Sequence, residues 1–485
     1  MISVEASAFE KAQQTAISLD VNQSLTINFT LKVGSARQTV TVSSDPLQVD
    51  LQTAQAQTVI SSAQINELGI NTRNFEELVS LMPGVSTELS SDQVYAGVSN
   101  PTGGYSQTDF SLNGGRPTQN AWNIDGADDV DHGSNLTLLA FPSVDSIQEF
   151  SVQRGQYGAE YGRSSSGQID VITKSGTDKF HGDLYEFFRN DVLDANNYFN
   201  NAADIPRPPL RYNDFGGTIG GPVIFPRLYN PSQKKTFFFF SGEYRRIITY
   251  TTFVSAVPTA NERHGIFPQA VCLNASCAQT GTTVTSIDPA AQAYLTDILD
   301  KLPLPNDPTC VEGCMLTTVG RNIFNLDQEI VSIDHVFGPG FTFFGRFQYD
   351  TIPTTEPGGM FVGNPLPRVA TTTTNSPGRI LTIHATNAFS PKLITDAGYN
   401  YSHGGIISNP IGLGASQNSP DVGRAIALSY VSTLNQVPSL YFSNFSGIYG
   451  FGPYRDFNDN YNAFDNLTKI IGQHTEIPAR ICWDS

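Results

Sequence analysis

Four of the five cysteines fall into two close pairs, Cys272 with Cys277 (CLNASC) and Cys310 with Cys314 (CVEGC), inside one Pro- and Gly-containing region. Such spacing suits two short-range disulfides in an oxidising compartment. Zinc is the sharper alternative, since the pairs nearly meet its usual ligand spacing, but no basic or His-rich context supports it. Free thiols are the third reading, and Cys482 stands alone. Residues 123–131 (NIDGADDVD) invite calcium. An EF-hand loop needs oxygen ligands at alternate positions, glycine at the sixth and glutamate at the twelfth, and no register here supplies all three. A tight Asp-Gly turn between strands explains the segment more simply. Residues 216–221 (GGTIGG) superficially suggest a phosphate-cradling loop. They lack the P-loop Lys-Ser/Thr, and Pro222 with strand formers follows instead of a helix.

None of the seven histidines stands with a serine or cysteine nucleophile in an arrangement such as G-x-S-x-G. Asp128 and Asp129 are adjacent carboxylates that read as solvated loop charges. No catalytic residue, cofactor site or metal site is therefore assigned, and no enzyme is expected. A net charge of −17 and a pI near 4.7 argue against nucleic acid as a partner, because phosphate binding needs clustered Lys and Arg.

With 42 Gly, 29 Pro, 31 Phe and 19 Tyr against 4 Met, the composition predicts mostly β structure. No stretch approaches the ~18 apolar residues of a membrane-spanning helix. A membrane β-barrel stays open, because its strands of about ten residues merely alternate apolar and polar. Residues 341–350 (FTFFGRFQYD) do so, with Phe341, Phe343, Phe347 and Tyr349 opposite Thr342, Arg346, Gln348 and Asp350. Residues 236–248 set Phe238, Phe240, Tyr244 and Ile248 against Ser241, Glu243 and Arg245, and 393–402 repeat the pattern. The tight Gly338-Pro339-Gly340 turn contrasts with long segments at 251–325 and 352–379, as short turns and long loops at opposite ends of a barrel require. One helical region stands out at 61–82, as two short helices broken near Gly69, with Ser61 or Ser62 as N-cap and Pro83-Gly84 as the stop. Near the start, 18–31 and 38–43 read as strands, and the first residues lack the basic start and apolar run of a signal peptide.

Residues 147–176 (IQEFSVQRGQYGAEYGRSSSGQIDVITKSG) read as a strand, an Arg154-Gly155 turn, a Gly- and Ser-rich loop and a second strand over 168–173. The run resembles the plug of TonB-dependent outer-membrane receptors, with Arg154, Gly155, Tyr161, Gly162 and Gly167 at its motif positions. Upstream, NGGR (Asn113, Gly114, Gly115, Arg116) and WNIDG (ending at Asp125 and Gly126) match the same plug residue for residue, and 74–84 (NFEELVSLMPG) resembles its early helix. The strand before VGS and then QTVTVSS resembles the end of a carboxypeptidase-regulatory-like domain, found in an Oar-like subgroup. The resemblance implies the end of a small β-sandwich at 1–44, an α+β plug at 45–175 and the N-terminal part of a transmembrane antiparallel β-barrel at 176–475. The complete family closes about 22 strands. Residues 476–485 would be an atypical tail.

The same resemblance implies the bacterial outer membrane, with outer-membrane lipid, a TonB-type energy-transducing periplasmic protein and an external ligand as partners. Ligand contacts are expected at 95–105 and in the 251–325 loop, which also carries the paired cysteines, and Arg154 is expected to meet an inward carboxylate of the wall. Thr39, Val40, Thr41 and Val42 resemble the Thr-x-x-Val of a TonB box and fit the last strand of a sandwich equally well. Roughly 310 residues follow Lys174, enough for about half such a wall, so a truncated chain with a frameshift or stop near Thr475 is expected. A surface adhesion or secretion-associated barrel without uptake is the alternative function, and a soluble secreted β protein is a third.

Overall fold

A computed structural model describes residues 2–15, 17, 27–34, 39–43, 56–70, 73–87, 94–95, 98–99, 110–133, 135–155, 157–158, 161–196, 198–202, 206–225, 229, 235–338, 340–357, 366, 371–411, 441–447, 454–471 and 474–484. At the N-terminus, β1 (Ile2–Val4), β2 (Lys11–Thr15) and β3 (Thr39–Ser43) form a three-stranded sheet in that order, with β3 parallel to β2. Of the strand expected at 18–31, residues 18–26 lie outside the described residues and 27–31 are not in a strand. β1 and β2 had no clear alternation to announce them.

The plug begins with β4 (Gln57–Ser61), whose last residue caps α1 (Ser62–Glu67) in a reciprocal box with Gln64. A second short helix, α2 (Glu77–Ser80), ends at the Pro83-Gly84 turn before β5 (Val85–Thr87). The two-residue strands β6 (Val94–Tyr95) and β7 (Val98–Ser99) pair, and β8 (Phe110–Leu112) pairs with β5. Four strands then join β4 in one sheet: β9 (Asn120–Ile124), β10 (Ala127–Asp128), β11 (Ile147–Gln153) and β12 (Gly167–Thr173), in the order β10-β9-β12-β11-β4. Alternate residues Trp122 and Ile124, Phe150 and Val152, and Ile169 and Val171 are buried, and Phe75 packs edge-on to Trp122 and Phe150 at 6.2 and 6.3 Å. Each such side chain contributes about 1.5–3 kcal/mol by leaving water.

The wall is a nine-stranded antiparallel sheet in sequence order: β13 (His181–Asn190), β14 (Arg211–Pro222), β15 (Thr236–Ala256), β18 (Met315–Gly338), β19 (Phe341–Pro357), β20 (Thr371–Ser390), β21 (Leu393–Ile411), β22 (Tyr454–Ile471) and β23 (His474–Asp484). It is not closed among the described residues. The intervening elements are α3 (Tyr198–Ala202), α4 (Ala260–Arg263), the hairpin β16 (Ile266–Cys272) and β17 (Thr280–Thr283), and α5 (Pro289–Asp297). Residues 216–221 fall inside β14, as strand glycines rather than a phosphate loop. The strand β23 also overlaps the residues expected to be a tail.

Connections alternate in length around the sheet. Those at 191–210, 257–314, 358–370 and 412–453 lie at one end; at the other lie the two-residue ones at 339–340, 391–392 and 472–473 together with the longer 223–235. Several strands are longer than the expected ten residues, up to 24 in β18. About ten tilted residues cross the apolar band. The rest of these strands projects beyond it, where inward positions carry Asn322, Thr354, Thr372 and Thr374. The long loops accordingly shrink to 257–314 and 358–370.

The two faces of the wall differ in kind. Outward positions expose Leu184, Phe240, Val331, Ile333, Phe347 and Tyr399, while inward Tyr212, Ile247, Phe324, Leu326, Ile352 and Ile380 join the plug's own core in one cluster. On β21, a Cβ at Gly404 would lie 2.6–2.8 Å from Leu139 of the plug, including its backbone. Gly404→Ala is therefore expected to lower stability by about 1–3 kcal/mol through overpacking. The check is the urea midpoint of the detergent-solubilised chain, and an unchanged midpoint would refute this close approach.

Candidate functional site

The functional feature is the seam where the plug meets the wall, and it is polar where most cores are not. On β14 and β15, the inward Asp214, Glu243 and Arg245 are almost fully buried, with side chains 0, 0 and 4% exposed. Arg245 binds Asp214 at 2.9 Å and Glu243 at 2.6 Å. Two carboxylates against one guanidinium leave a surplus negative charge, which a buried site does not tolerate unpaired.

Arg73, in the turn between α1 and α2, supplies the missing cation. Its guanidinium reaches Glu243 (3.3 Å), Asp214 (3.5 Å) and Asp145 of the plug, and lies 4.1 Å over the Phe187 ring and 4.7 Å over Tyr185. The Tyr185 hydroxyl donates to Glu243 at 2.9 Å, and Arg245 donates to the Arg73 carbonyl at 3.1 Å. Burial acts against the Arg73 charge, but Glu243, Asp145 and Asp214 together raise its pKa above the ordinary value. Asp145 is itself raised by burial, with Arg73 opposing.

A second crossing uses the turn between β9 and β10. Asp125 and Gly126 both have positive φ, 52° and 85°, as a two-residue type I′ hairpin turn demands. The Asp125 carboxylate accepts from the Thr173 backbone N–H (2.9 Å), the Thr173 hydroxyl (2.6 Å) and Arg346 of β19 (2.8 Å), while Arg346 also donates to Ser175 (2.7 Å). Farther round the wall the contacts are uncharged: Asn400 donates to the Gly126 carbonyl and Asn460 to the Val130 carbonyl, each at 2.9 Å.

A small α/β domain filling the inside of an outwardly apolar sheet agrees with two family models. Residues 50–168 match the TonB-dependent receptor plug domain, and residues 172–476 match the outer membrane beta barrel domain. The chain belongs to the TonB-dependent receptors of the bacterial outer membrane. It is 23% identical over 243 residues to the TonB-dependent transporter Oar of Myxococcus xanthus, a match covering 46% of this chain and 20% of Oar. Its fold is similar to the outer membrane transporter YddB of Escherichia coli, with a TM-score of 0.50 and 12% identity over 86% of this chain and 46% of that one. The chain thus spans less than half the length of these relatives.

The plug motif of the receptor divides into separate groups. Asn113 and Gly114 form a second positive-φ turn, and Asn113 donates to the Arg154 carbonyl. Arg154 was expected to reach a carboxylate of the wall; instead its guanidinium donates to the Pro83 carbonyl and, at 3.2 Å, to the Thr58 hydroxyl. It sits at the end of β11 beside β4, so it ties the plug to itself. Gly155 follows it in the same turn. Arg116 precedes a short 3-10 turn and donates its N–H to Gln119 at 3.1 Å. Tyr161 packs at 6.1 Å from Tyr157, the Gly162 carbonyl accepts from Gln168 at 3.2 Å, and Gly167 opens β12 against Leu112. Of the motif, Asp125 and Gly126 hydrogen-bond to the wall.

Arg73 and Asp145 were missed because no motif surrounds them. The inward positions of β14 and β15 carried the available signal, since two acids and one base call for a cation from elsewhere.

At the long-loop end, Val257, Ile298, Leu302, Leu316 and Leu366 form a separate buried cluster with Phe442 packed on it, drawing together three connections. Arg263 fastens the first of them by donating to the Pro258, Leu302 and Pro303 carbonyls at 2.9–3.1 Å. Cys272 is bonded to Cys277 and Cys310 to Cys314 in that same connection, and no cluster of three or more metal-binding side chains exists among the described residues. Of the expected ligand contacts at 95–105, all but Tyr95, Val98 and Ser99 lie outside the described residues.

Arg73→Ala leaves Asp214 and Glu243 short of a cation, and should cost about 3–5 kcal/mol of stability. Arg73→Lys restores charge but not the forked, stacked geometry, and should recover only part. Urea unfolding of the two variants beside the parent decides this: equal stability of Arg73→Ala and parent would remove Arg73 from the latch.

Proposed function

We propose that the protein binds a bulky external ligand above the plug and takes it up across the outer membrane, using energy delivered by a TonB-type periplasmic protein. The observation that carries this reading is the plug itself, which fills the lumen and is fastened by buried ion pairs at Arg73 and Asp125. Such contacts hold a pore shut at rest and need mechanical work to break. Oar and YddB are both transporters, which supports the same reading.

The partner is best served from the N-terminal side. Thr39, Val40, Thr41 and Val42 lie in β3, an edge strand of its sheet, and an edge strand offers backbone groups to which an added strand can bond. In this reading the same segment is both the last strand of the small sheet and the strand offered to the TonB-type protein. The ligand is proposed to meet the loop at 257–314 and the plug strands near Tyr95.

Cells making the full-length protein should accumulate fluorescent test substrates, fractionating with the outer membrane. Accumulation should fall to the level of non-producing cells when the TonB-type partner is deleted or a protonophore is added. Surface attachment that survives both treatments, with no internal accumulation, would establish adhesion in place of uptake. Val40→Pro, which removes a backbone donor from β3, should lower uptake several-fold without reducing the amount of protein in the membrane.

A further inference from the structure

Asp129 follows β10 in the plug and Asp350 lies on the inward face of β19, with 0 and 1% exposure. They are close enough to repel across the seam. One oxygen of Asp129 accepts from the Ala140 N–H at 2.9 Å, and the other has no partner among the described residues. The polar neighbours of Asp350 are the Phe141 backbone and the Gln348 amide, but neither Asp350 oxygen makes a well-formed hydrogen bond. The charged groups facing Asp129 are Asp350 on β19, Asp128 beside it and Glu76 at the start of α2, all acids. Asp128 is already engaged by His132 and Arg163. No Arg, Lys or His lies within ion-pair distance of Asp129 or Asp350 among the described residues.

Two ionised carboxylates are not stable in such a place without a cation or water. Beside them, a Cβ at Gly378 of β20 would lie 2.5 Å from both Asp350 Oδ1 and the backbone oxygen of Leu139, so the glycine leaves room for two neighbouring acceptors.

We propose that Asp129 and Asp350 form a proton-binding catch between plug and wall, docked while these carboxyls hold protons, and that loss of the protons drives residues 129–141 away from β19–β21. Burial, opposed by the Ala140 N–H and helped by Asp350, pushes the Asp129 carboxyl well above the usual range, and burial takes Glu76 up to about 7. A carboxyl raised in the docked state binds protons more readily there, so docking is strongest at low pH and weakens as pH rises through the raised value. The inference rests on the plug-in-wall fold and is independent of what is transported.

Hydrogen exchange read by mass spectrometry on the detergent-solubilised full chain, corrected for the intrinsic pH effect, tests it between about pH 5 and pH 9. Protection of 129–141 should fall with rising pH, by up to about tenfold per pH unit for each proton released, while β11 at 147–153 stays protected. Asp350→Asn and Asp129→Asn keep a neutral, isosteric group, and each should flatten the dependence. Either variant suffices if the other does not fold. Protection that is flat with pH in the parent, or equally steep in the Asn variant tested, or lost uniformly across the plug, overturns the catch.

Discussion

Two carboxylates buried on the inner face of a membrane wall set the terms for the rest of this molecule. Asp214 and Glu243 are fully excluded from solvent, and the opposite face of their strands looks to lipid, where no charge is welcome. One arginine in the wall cannot balance them. The second must come from whatever fills the lumen, so the wall is electrostatically incomplete without its plug. That requirement fixes Arg73 in space, and with it the turn between α1 and α2, the position of Asp145 and the approach of the 144–146 turn to β14. The stacking of Arg73 on Phe187 and Tyr185 shows that even its non-polar faces are used.

The fold was legible in the sequence wherever a short-range rule governs it. Period-two alternation marked both faces of β15, β19 and β21, because lipid and lumen impose opposite polarity on successive residues. The Asp125-Gly126 turn and the β11–β12 hairpin were legible because positive φ and strand pairing are local demands. Strand ends were not. Inward residues above the membrane, such as Asn322 and Thr354, still alternate with outward ones, so polarity alone does not say where a strand stops and a loop begins. The N-terminal β1 and β2 gave still less, since neither shows a buried face.

The seam was harder to read for a different reason. Which arginine crosses it depends on tertiary distance, and a motif arginine is a tempting choice. Arg154 stands at a recognisable position, yet its partners are the Pro83 carbonyl and Thr58 within the plug. Arg73 stands in no motif at all. Charge arithmetic on the inward face of β14 and β15 was the better guide, because burial makes an imbalance too costly to leave standing.

The seam is chemically uneven, and this bears on how a plug leaves a wall. On the β14–β15 side and at Arg346 it is ionic, with Arg73 and Arg245 set among Asp145, Asp214 and Glu243 and Arg346 on Asp125. Toward β21 and β22 the named contacts are single amide-to-carbonyl bonds from Asn400 and Asn460. A net hydrogen bond of that kind contributes about 1 kcal/mol, whereas parting a buried ion pair costs several times more. Force applied to the plug therefore does not meet a uniform resistance. The bonds of Asn400 to Gly126 and of Asn460 to Val130 part at lower cost than the ion pairs of Arg73 and Asp125.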